Sequence, residues 1–397
     1  MRKEIKVAYR KSLTLRRGQI TAAVALSVVT LISFGALAVD VGMLYSTKAE
    51  LQRAADATAL AGAWDLVLDE RRLQGNDGVS QAVLDSRTRA VQIASNNSVL
   101  NQGLYVDRND GNAVHGDLLY GWLAEPANHT MDLQPVIDTR TNAIRAMARR
   151  DETRNGPVPL MLARIFGQTT SHLSAGAVAA YEGGVVGYRV TENTPNAELL
   201  PFALRIDSWN DLISGAVTIG DNYAYDPVTG KVTPGQDGIP EINLFPGAGS
   251  GQLPPGNFGT VNIGTDNNST NTLRRQILHG ISAEDLAFHG GELRIGPDGV
   301  LWLGGNTGLS AAMKDPLEQI VGQARSLPLF NHVSGPGNNA LFSIVKFEGV
   351  RIVDVKLTGA MNLKYLIIQP AIVVDETGIT DNSGTQNNLY RPPQLVR

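Results

Sequence analysis

The sequence of 397 residues contains no cysteine. A chain without thiols forms no disulfides, binds no metal through thiolates and has no thiol nucleophile. Charged residues are scarce, at 18%, whereas about 25% is usual in soluble domains. The formal net charge is −4, so the whole chain lacks the basic surplus of a nucleic-acid binder, and we predict no nucleic-acid partner. The length is sufficient for two or three domains.

Motifs of common active sites are missing as well. The sequence has no His-Glu-x-x-His zinc pattern, no Gly-x-Ser-x-Gly elbow and no Walker A loop. The nearest approach to a ligand cluster is His279, Glu284, Asp285 and His289, whose two histidines are ten residues apart and fit no single helix face. Residues 221–237 hold scattered oxygen ligands without the EF-hand order. We therefore predict a non-enzymatic protein with no catalytic residue, no cofactor and no metal.

Ionisable side chains are absent from residues 19–39, a stretch of 21 residues. About 20 apolar residues suffice for a helix to cross the hydrocarbon core of a bilayer. Seven basic residues and one acid precede this stretch within residues 1–18. Because positive charge stays on the cytoplasmic side, we predict a cytoplasmic segment at 1–18, a transmembrane helix at 19–39 and an extracytoplasmic remainder.

A cleaved signal peptide is the alternative interpretation of the same stretch. Ala36-Leu37-Ala38 fits the small-x-small pattern of a cleavage site. The helical pattern runs straight through this site, which favours an uncleaved anchor.

Beyond Asp40 an alanine-rich helical pattern continues without a break. Apolar and small residues recur at spacings of three, four and seven, which places them on one helix face: Leu44, Leu51, Ala54, Ala55, Ala59, Gly62 and Ala63. Small residues at such spacing allow a second helix to approach closely. For the half of this pattern that lies farther from the apolar stretch, the alternative interpretation is an ordinary core helix. Residues 20–68 are thus expected to form one rod of roughly 70 Å.

The N-terminal region resembles TadG-like proteins of the Tad (Flp) pilus assembly system. The resemblance rests on a basic pair with glycine (Arg16-Arg17-Gly18), the apolar helix, the junction Val39-Asp40-Val41-Gly42, Tyr45, and the alanine-rich run from Leu51 to Ala61. It covers about 48 residues and extends, with less specific motifs, to about residue 185.

This resemblance implies a membrane-anchored envelope component of a bacterium. The chain would lie in the inner membrane as a single-pass protein, in contact with lipid and with other Tad-system envelope proteins. Two groups of residues follow as site candidates. The junction residues are Asp40, Gly42 and Tyr45, and the packing residues are Leu51, Ala54, Ala55, Asp56, Ala59 and Leu60. Asp40 is expected to be solvated at the outer interface.

The sequence departs from processed pilins of the same system in one respect. Such pilins are cut after a glycine and carry a glutamate five residues later. If Gly18 were that glycine, the fifth residue would be Ala23, and residues 19–39 contain no glutamate. A permanent anchor is therefore favoured. A processed minor pilin remains an alternative, as does an anchored hydrolase or ligand-binding protein using residues 201–374, should the histidine cluster converge on a pocket.

The remaining chain is predicted to be α+β. Residues 40–184 form a module in which a small sheet packs on the far half of the rod, followed by a linker at 185–200. Residues 201–374 form a β-rich extracytoplasmic module, and 375–397 a flexible tail. The elements expected from the hydrophobic periodicity are helices at 79–95, 271–280 and 315–324 and strands at 143–150, 341–347, 350–357 and 365–374.

Overall fold

The structure, a computed structural model, describes residues 15–128, 130–245, 256–266, 269–335, 337–360, 363–381 and 387–396. Most of the predicted cytoplasmic segment, residues 1–14, lies outside this part of the chain. The described residues form a long N-terminal helix, a helix-covered sheet and a β-rich C-terminal region. The predicted α+β fold class is confirmed.

Helix α1 (Leu15–Leu68) is a single helix of 54 residues, about 80 Å long at 1.5 Å per residue. It contains no proline, and its glycines do not interrupt it. Its N-terminal half is long and apolar enough to cross a membrane. Large apolar side chains are exposed between Ile20 and Val39, whereas one face is buried from Leu51 to Val67.

The first module packs α1 and α2 (Gly75–Asn96) against a five-stranded antiparallel sheet of order β23-β8-β5-β3-β4. The strands of this module, in chain order, are β1 (Ser98–Val99), β2 (Gln102–Gly103), β3 (Leu118–Trp122), β4 (Gln134–Pro135), β5 (Ala143–Arg150), β6 (Val158–Pro159), β7 (Thr170–Ser171), β8 (Leu173–Ala180) and, from the C-terminus, β23 (Gln394–Leu395). A short 3₁₀ helix (Glu70–Gln74) connects α1 to α2, and β1–β2 and β6–β7 form separate hairpins.

Alanine determines how closely α1 approaches this sheet. Strand β8 pairs with β5 from Ala180 opposite Ala143 to Leu173 opposite Arg150. Three buried alanines of β8 join the core with α1 and α2: Ala175, Ala177 and Ala179. The expectation that the sheet packs on the far half of the rod is confirmed.

The second module is built around a closed ring of strands. The members of its sheet are β10 (Phe202–Arg205), β13 (Ile242–Asn243), β14 (Phe258–Val261), β16 (Leu301–Asn306), β17 (Ala324–Ser334), β18 (Ala340–Lys356) and β19 (Tyr365–Pro370). Pairings run from β10 through β14, β16, β18 and β17, and β17 pairs in parallel with β10. Five strands therefore close into a barrel, while β19 and β13 extend the long strand β18 on one side.

Shorter elements surround the barrel. The helices are α3 (Ile206–Ile213), α4 (Thr270–His279), α5 (Ala283–Ala287) and α6 (Lys314–Gln319), and two further 3₁₀ turns lie at Ala311–Met313 and Gly337–Asn339. The remaining strands are β9 (Val185–Tyr188), β11 (Tyr223–Asp226), β12 (Lys231–Pro234), β15 (Leu293–Arg294), β20 (Val373–Val374), β21 (Gly378–Thr380) and β22 (Leu389–Tyr390).

The segments predicted to be a linker (185–200) and a flexible tail (375–397) both contribute strands to the folded body within the described residues. Strand β9, inside residues 185–200, is the central strand of a three-stranded sheet with β15 and β21. The described residues of 375–397 include β21, β22 and β23, and β23 completes the edge of the first module's sheet against β8. Backbone hydrogen bonds of these strands, rather than their polar composition, decide that they are ordered.

Ionic and aromatic contacts join the two modules. Arg351 of β18 is buried and donates two hydrogen bonds to the carboxylate of Glu70, at 2.6 and 2.7 Å. The Arg72 guanidinium lies 5.1 and 4.9 Å from the ring centroids of Tyr181 and Tyr390, which contact each other edge to face. Such a paired and stacked arrangement allows charge to be buried between the modules.

Candidate membrane-junction site

Asp40 lies on α1 directly after the apolar stretch, and its side chain is buried, with the residue only 2% exposed. Its carboxylate accepts three backbone hydrogen bonds, from the N–H groups of Met161 at 2.8 Å, Leu162 at 2.9 Å and Ala163 at 2.6 Å. The expectation of a solvated carboxylate was therefore wrong. The reason is tertiary: a loop 120 residues further along the chain folds back onto this turn of the helix.

The loop is the tip of the β6–β7 hairpin, residues 160–169, which we call the hairpin tip. The Leu160 N–H donates to the Thr169 carbonyl at 2.9 Å. A 3₁₀ helix (Ala163–Phe166) follows and ends at Gly167, whose φ of 85° is in the left-handed region that glycine adopts without strain. The first N–H groups of such a turn have no partner within the turn, and Asp40 supplies one.

The electrostatics of Asp40 support a structural role. Burial raises the pKa of this carboxyl, but the hydrogen bonds from Ala163, Met161 and Leu162, together with the charge of Arg164, outweigh it. The net result is a pKa below the ordinary value of 3.8. The carboxylate is therefore ionised at neutral pH and holds the hairpin tip on α1.

The other two junction residues have different surroundings. Gly42 is exposed, and a Cβ added there would meet nothing within 4 Å. Tyr45 is 75% exposed. Tyr45 lies six residues after the last residue of the apolar stretch, Val39, on the same helix. Aromatic side chains near the end of a membrane-spanning segment favour the membrane–water interface. Neither residue contributes to the contact that Asp40 makes.

The packing residues face the chain's own sheet and helix α2. Leu51, Ala54, Ala55 and Ala59 are buried in the core of the first module, and Leu60 packs partly against it. Asp56 accepts a hydrogen bond from Gln52 at 2.8 Å.

Side chains of α1 also satisfy carbonyl groups of strand β8. Gln52 donates to the Gly176 carbonyl at 3.0 Å, and Lys48 donates to that of Ser174. The alanine-rich face is thus occupied within the molecule, and the long exposed apolar stretch of α1 lies in its N-terminal half.

The four candidate ligands in the second module do not converge. Asp285 closes a capping box with Ser282 and pairs with Arg275. His279 and Glu284 are exposed, and the His289 Nε2 accepts a hydrogen bond from the Gly264 N–H at 3.4 Å. Within the described residues, no group of three or more His, Asp or Glu side chains is arranged to hold a metal ion. The arrangement that would favour an anchored hydrolase is not formed.

A cleft of about 1400 Å³ between the modules was not foreseen from the sequence. Its lining includes Trp122, with the Arg140 guanidinium 5.4 Å from the ring centroid, and Trp209. Glu348 lines it as well and pairs with Lys346 at 2.6 Å, while burial raises the pKa of Glu348. Because these residues come from distant parts of the chain, no local motif signals the cleft. The cleft is larger than the roughly 300–1,000 Å³ that is usual for small-molecule pockets.

Comparison with known proteins agrees with the geometry of α1. The fold and the junction define a chain in which a helix of membrane-spanning length continues into an α+β body. Residues 18–65 match the model of a family described as putative Flp pilus-assembly TadE/G-like. The resemblance to TadG-like proteins is thereby confirmed for this region, which spans the apolar stretch, Asp40 and the alanine-rich face. No curated protein and no solved structure matches the chain.

Proposed function

We propose that this protein is a non-enzymatic, membrane-anchored component of a Tad/Flp-type pilus assembly or secretion machine and acts through protein–protein contacts. The observation that carries the proposal is the family match of residues 18–65 on a helix whose apolar half projects, exposed, from a folded body. Such a protein holds an envelope domain at a fixed distance from the membrane.

The anchor has a defined orientation in this proposal. The basic residues of 1–18 stay in the cytoplasm, and the body after Asp40 lies outside the inner membrane. Exposed branched side chains such as Leu26, Val29 and Ile32 face lipid, because a soluble core helix would bury them.

The absence from residues 19–39 of the glutamate that processed pilins carry favours a permanent anchor over a processed minor pilin. The bond between Asp40 and the hairpin tip supports a body held at the membrane surface. The inter-module cleft and the exposed part of α1 are the surfaces that we assign to partners.

The first test is the state of the mature protein. The full chain is expressed in a bacterium with a Tad system, the cells are fractionated, and the N-terminus is sequenced. An intact N-terminus in the inner-membrane fraction is expected. A start at Gln19 would instead indicate a pilin subunit. A start near Val39 with soluble protein would contradict the anchor.

The second test is pilus assembly itself. In a strain deleted for this chain, pili are counted by electron microscopy after complementation with the full chain or with a variant whose residues 19–39 are replaced by an unrelated apolar span. The full chain is expected to restore pili. Restoration by the variant would mean that the segment serves only as an anchor, and failure would indicate specific helix contacts in the membrane. Normal piliation of the deletion strain would overturn the proposed function.

A further inference from the structure

The hairpin tip is the most apolar exposed turn in the described part of the body. Met161, Ile165 and Phe166 are 65%, 76% and 67% exposed. These side chains lie in the six residues 161–166, on a turn held at both ends by the pairing of β6 with β7. Three large exposed apolar side chains on one short turn mark an interaction surface.

Contacts with α1 determine the position of the hairpin tip along the helix. Asp40, the first residue after the apolar stretch, accepts the N–H groups of residues 161–163. The 3₁₀ helix Ala163–Phe166 contacts α1. Ala36, one turn before Asp40, is 7% exposed, although most of its neighbours in the apolar stretch are exposed. One helical turn is about 5.4 Å, so the tip reaches the level of the last turn of the apolar stretch.

The charge of this region suits a lipid surface. No aspartate or glutamate occurs in residues 157–181, and the tip carries one cation, Arg164. The Arg164 Nε donates to the Leu160 carbonyl at 2.7 Å. A cation beside apolar side chains at the boundary of a bilayer can approach phosphate groups while its neighbours enter the acyl region.

We propose that the hairpin tip is a second membrane contact, in which Met161, Ile165 and Phe166 insert into the outer leaflet of the bilayer that α1 crosses. This inference rests on the anchor in the proposed function. The partner is lipid, because the tip is bonded to the first residue after the apolar stretch of α1 and so lies beside its exposed apolar side chains. Two attachments, bridged by Asp40, hold the body in one orientation on the membrane.

The experiment uses the absence of native cysteine, because single-cysteine variants then carry a probe at one position only. The full chain with Ile165→Cys is labelled with an environment-sensitive fluorophore and reconstituted into phosphatidylethanolamine–phosphatidylglycerol vesicles. Nitroxide lipids in the same vesicles quench probes that reach the bilayer. Val29→Cys, inside the apolar stretch, reports on the anchor. Val228→Cys is the matched control, because it is apolar and 91% exposed on the β11–β12 hairpin.

The expected result is strong quenching at positions 29 and 165 and little at 228. Interfacial segments bury their apolar face about 5–10 Å into the headgroup region. Lipids that carry the nitroxide near the headgroup should therefore quench the probe at position 165 at least about twofold more than the probe at position 228. Adding Phe166→Asp to the Ile165→Cys variant should remove this difference. Quenching at 29 with equal, weak quenching at 165 and 228 would overturn the membrane contact and leave the anchor standing. Absence of quenching at 29 would overturn both.

Discussion

The two halves of helix α1 have the same backbone and opposite surroundings. Between residues 20 and 39 large apolar side chains are interspersed with Ala, Ser, Thr and Gly, and almost all of these residues are exposed. Between residues 51 and 67 the helix turns a face of mostly alanine toward β8, β5 and α2, and this face is buried. The difference shows that burial by the rest of the chain, not apolar character alone, distinguishes the two halves of the helix.

The physical reason lies in what each half packs against. Fluid lipid accommodates side chains of any shape, so the exposed half needs only length and apolarity. A sheet whose facing strand consists of Ala175, Ala177 and Ala179 leaves little room, so the buried half needs small residues. Asp40, between the halves, marks the change by bonding to the hairpin tip.

The largest expected effect comes from placing aspartate in each half. The double substitution Leu26→Asp and Val29→Asp adds roughly 5–7 kcal/mol to the free energy of membrane insertion. The protein should leave the membrane fraction while its body stays protease-resistant. Ala59→Asp buries a charge in the core and should do the reverse, giving membrane-bound protein whose body is cleaved.

Fractionation followed by limited proteolysis measures both effects. Ser46→Asp, at an exposed position between the halves, is the control and should change neither result. If the double variant remained in the membrane, the assignment of residues 19–39 would be contradicted.

A smaller effect is expected from substituting two glycines of α1, Gly42 next to the junction and Gly62 in the core of the first module. A Cβ at Gly62 would lie 2.6 Å from the Ile144 Cδ1, whereas one at Gly42 would meet nothing. Gly62→Leu should therefore lower the free energy of unfolding by about 1–3 kcal/mol through overpacking. Gly42→Leu should raise it by somewhat less than about 1 kcal/mol through helix propensity. Circular dichroism during heating of the full chain in detergent measures the two shifts, and equal shifts would contradict the contrast.

The smallest effect concerns acid sensitivity at Asp40. Its folded pKa lies below the ordinary value of 3.8, so its stabilising contribution is complete above that value. The contribution is lost as the pH falls through the lower, folded pKa. Release of the hairpin tip should therefore begin only below about pH 4 and appear as faster cleavage by an acid-active protease. Asp40→Asn should release the tip at neutral pH and remove this pH dependence. A pH dependence unchanged in that variant would assign the effect to another group.

The elements that strong periodicity predicts are found in the structure with similar bounds. Strand 143–150 and the helix predicted at 271–280 occur as β5 (Ala143–Arg150) and α4 (Thr270–His279). The alternation in residues 143–150 and the glycine that ends the helix, Gly280, are local signals, and tertiary packing does not override them.

Other boundaries depend on distant partners. The strands predicted at 341–347 and 350–357 are one strand, β18. At Glu348 and Gly349, between the two predicted strands, Lys346 pairs with Glu348, and the Asn388 side chain bonds both backbone groups of Gly349. These contacts give the polar groups of Glu348 and Gly349 partners inside the sheet. No residue within either predicted strand indicates these contacts.

By itself the sequence determined the apolar stretch, the continuous rod, the alanine-rich face and the absence of thiol chemistry. Each follows from composition and spacing along one element. The tertiary structure alone decided that Asp40 is buried, that β9, β21, β22 and β23 join sheets of the folded body, and that a cleft lies between the modules. Several of those features depend on contacts between residues more than a hundred positions apart, such as Asp40 with Met161 and β23 with β8. Local periodicity carries no information about such pairs.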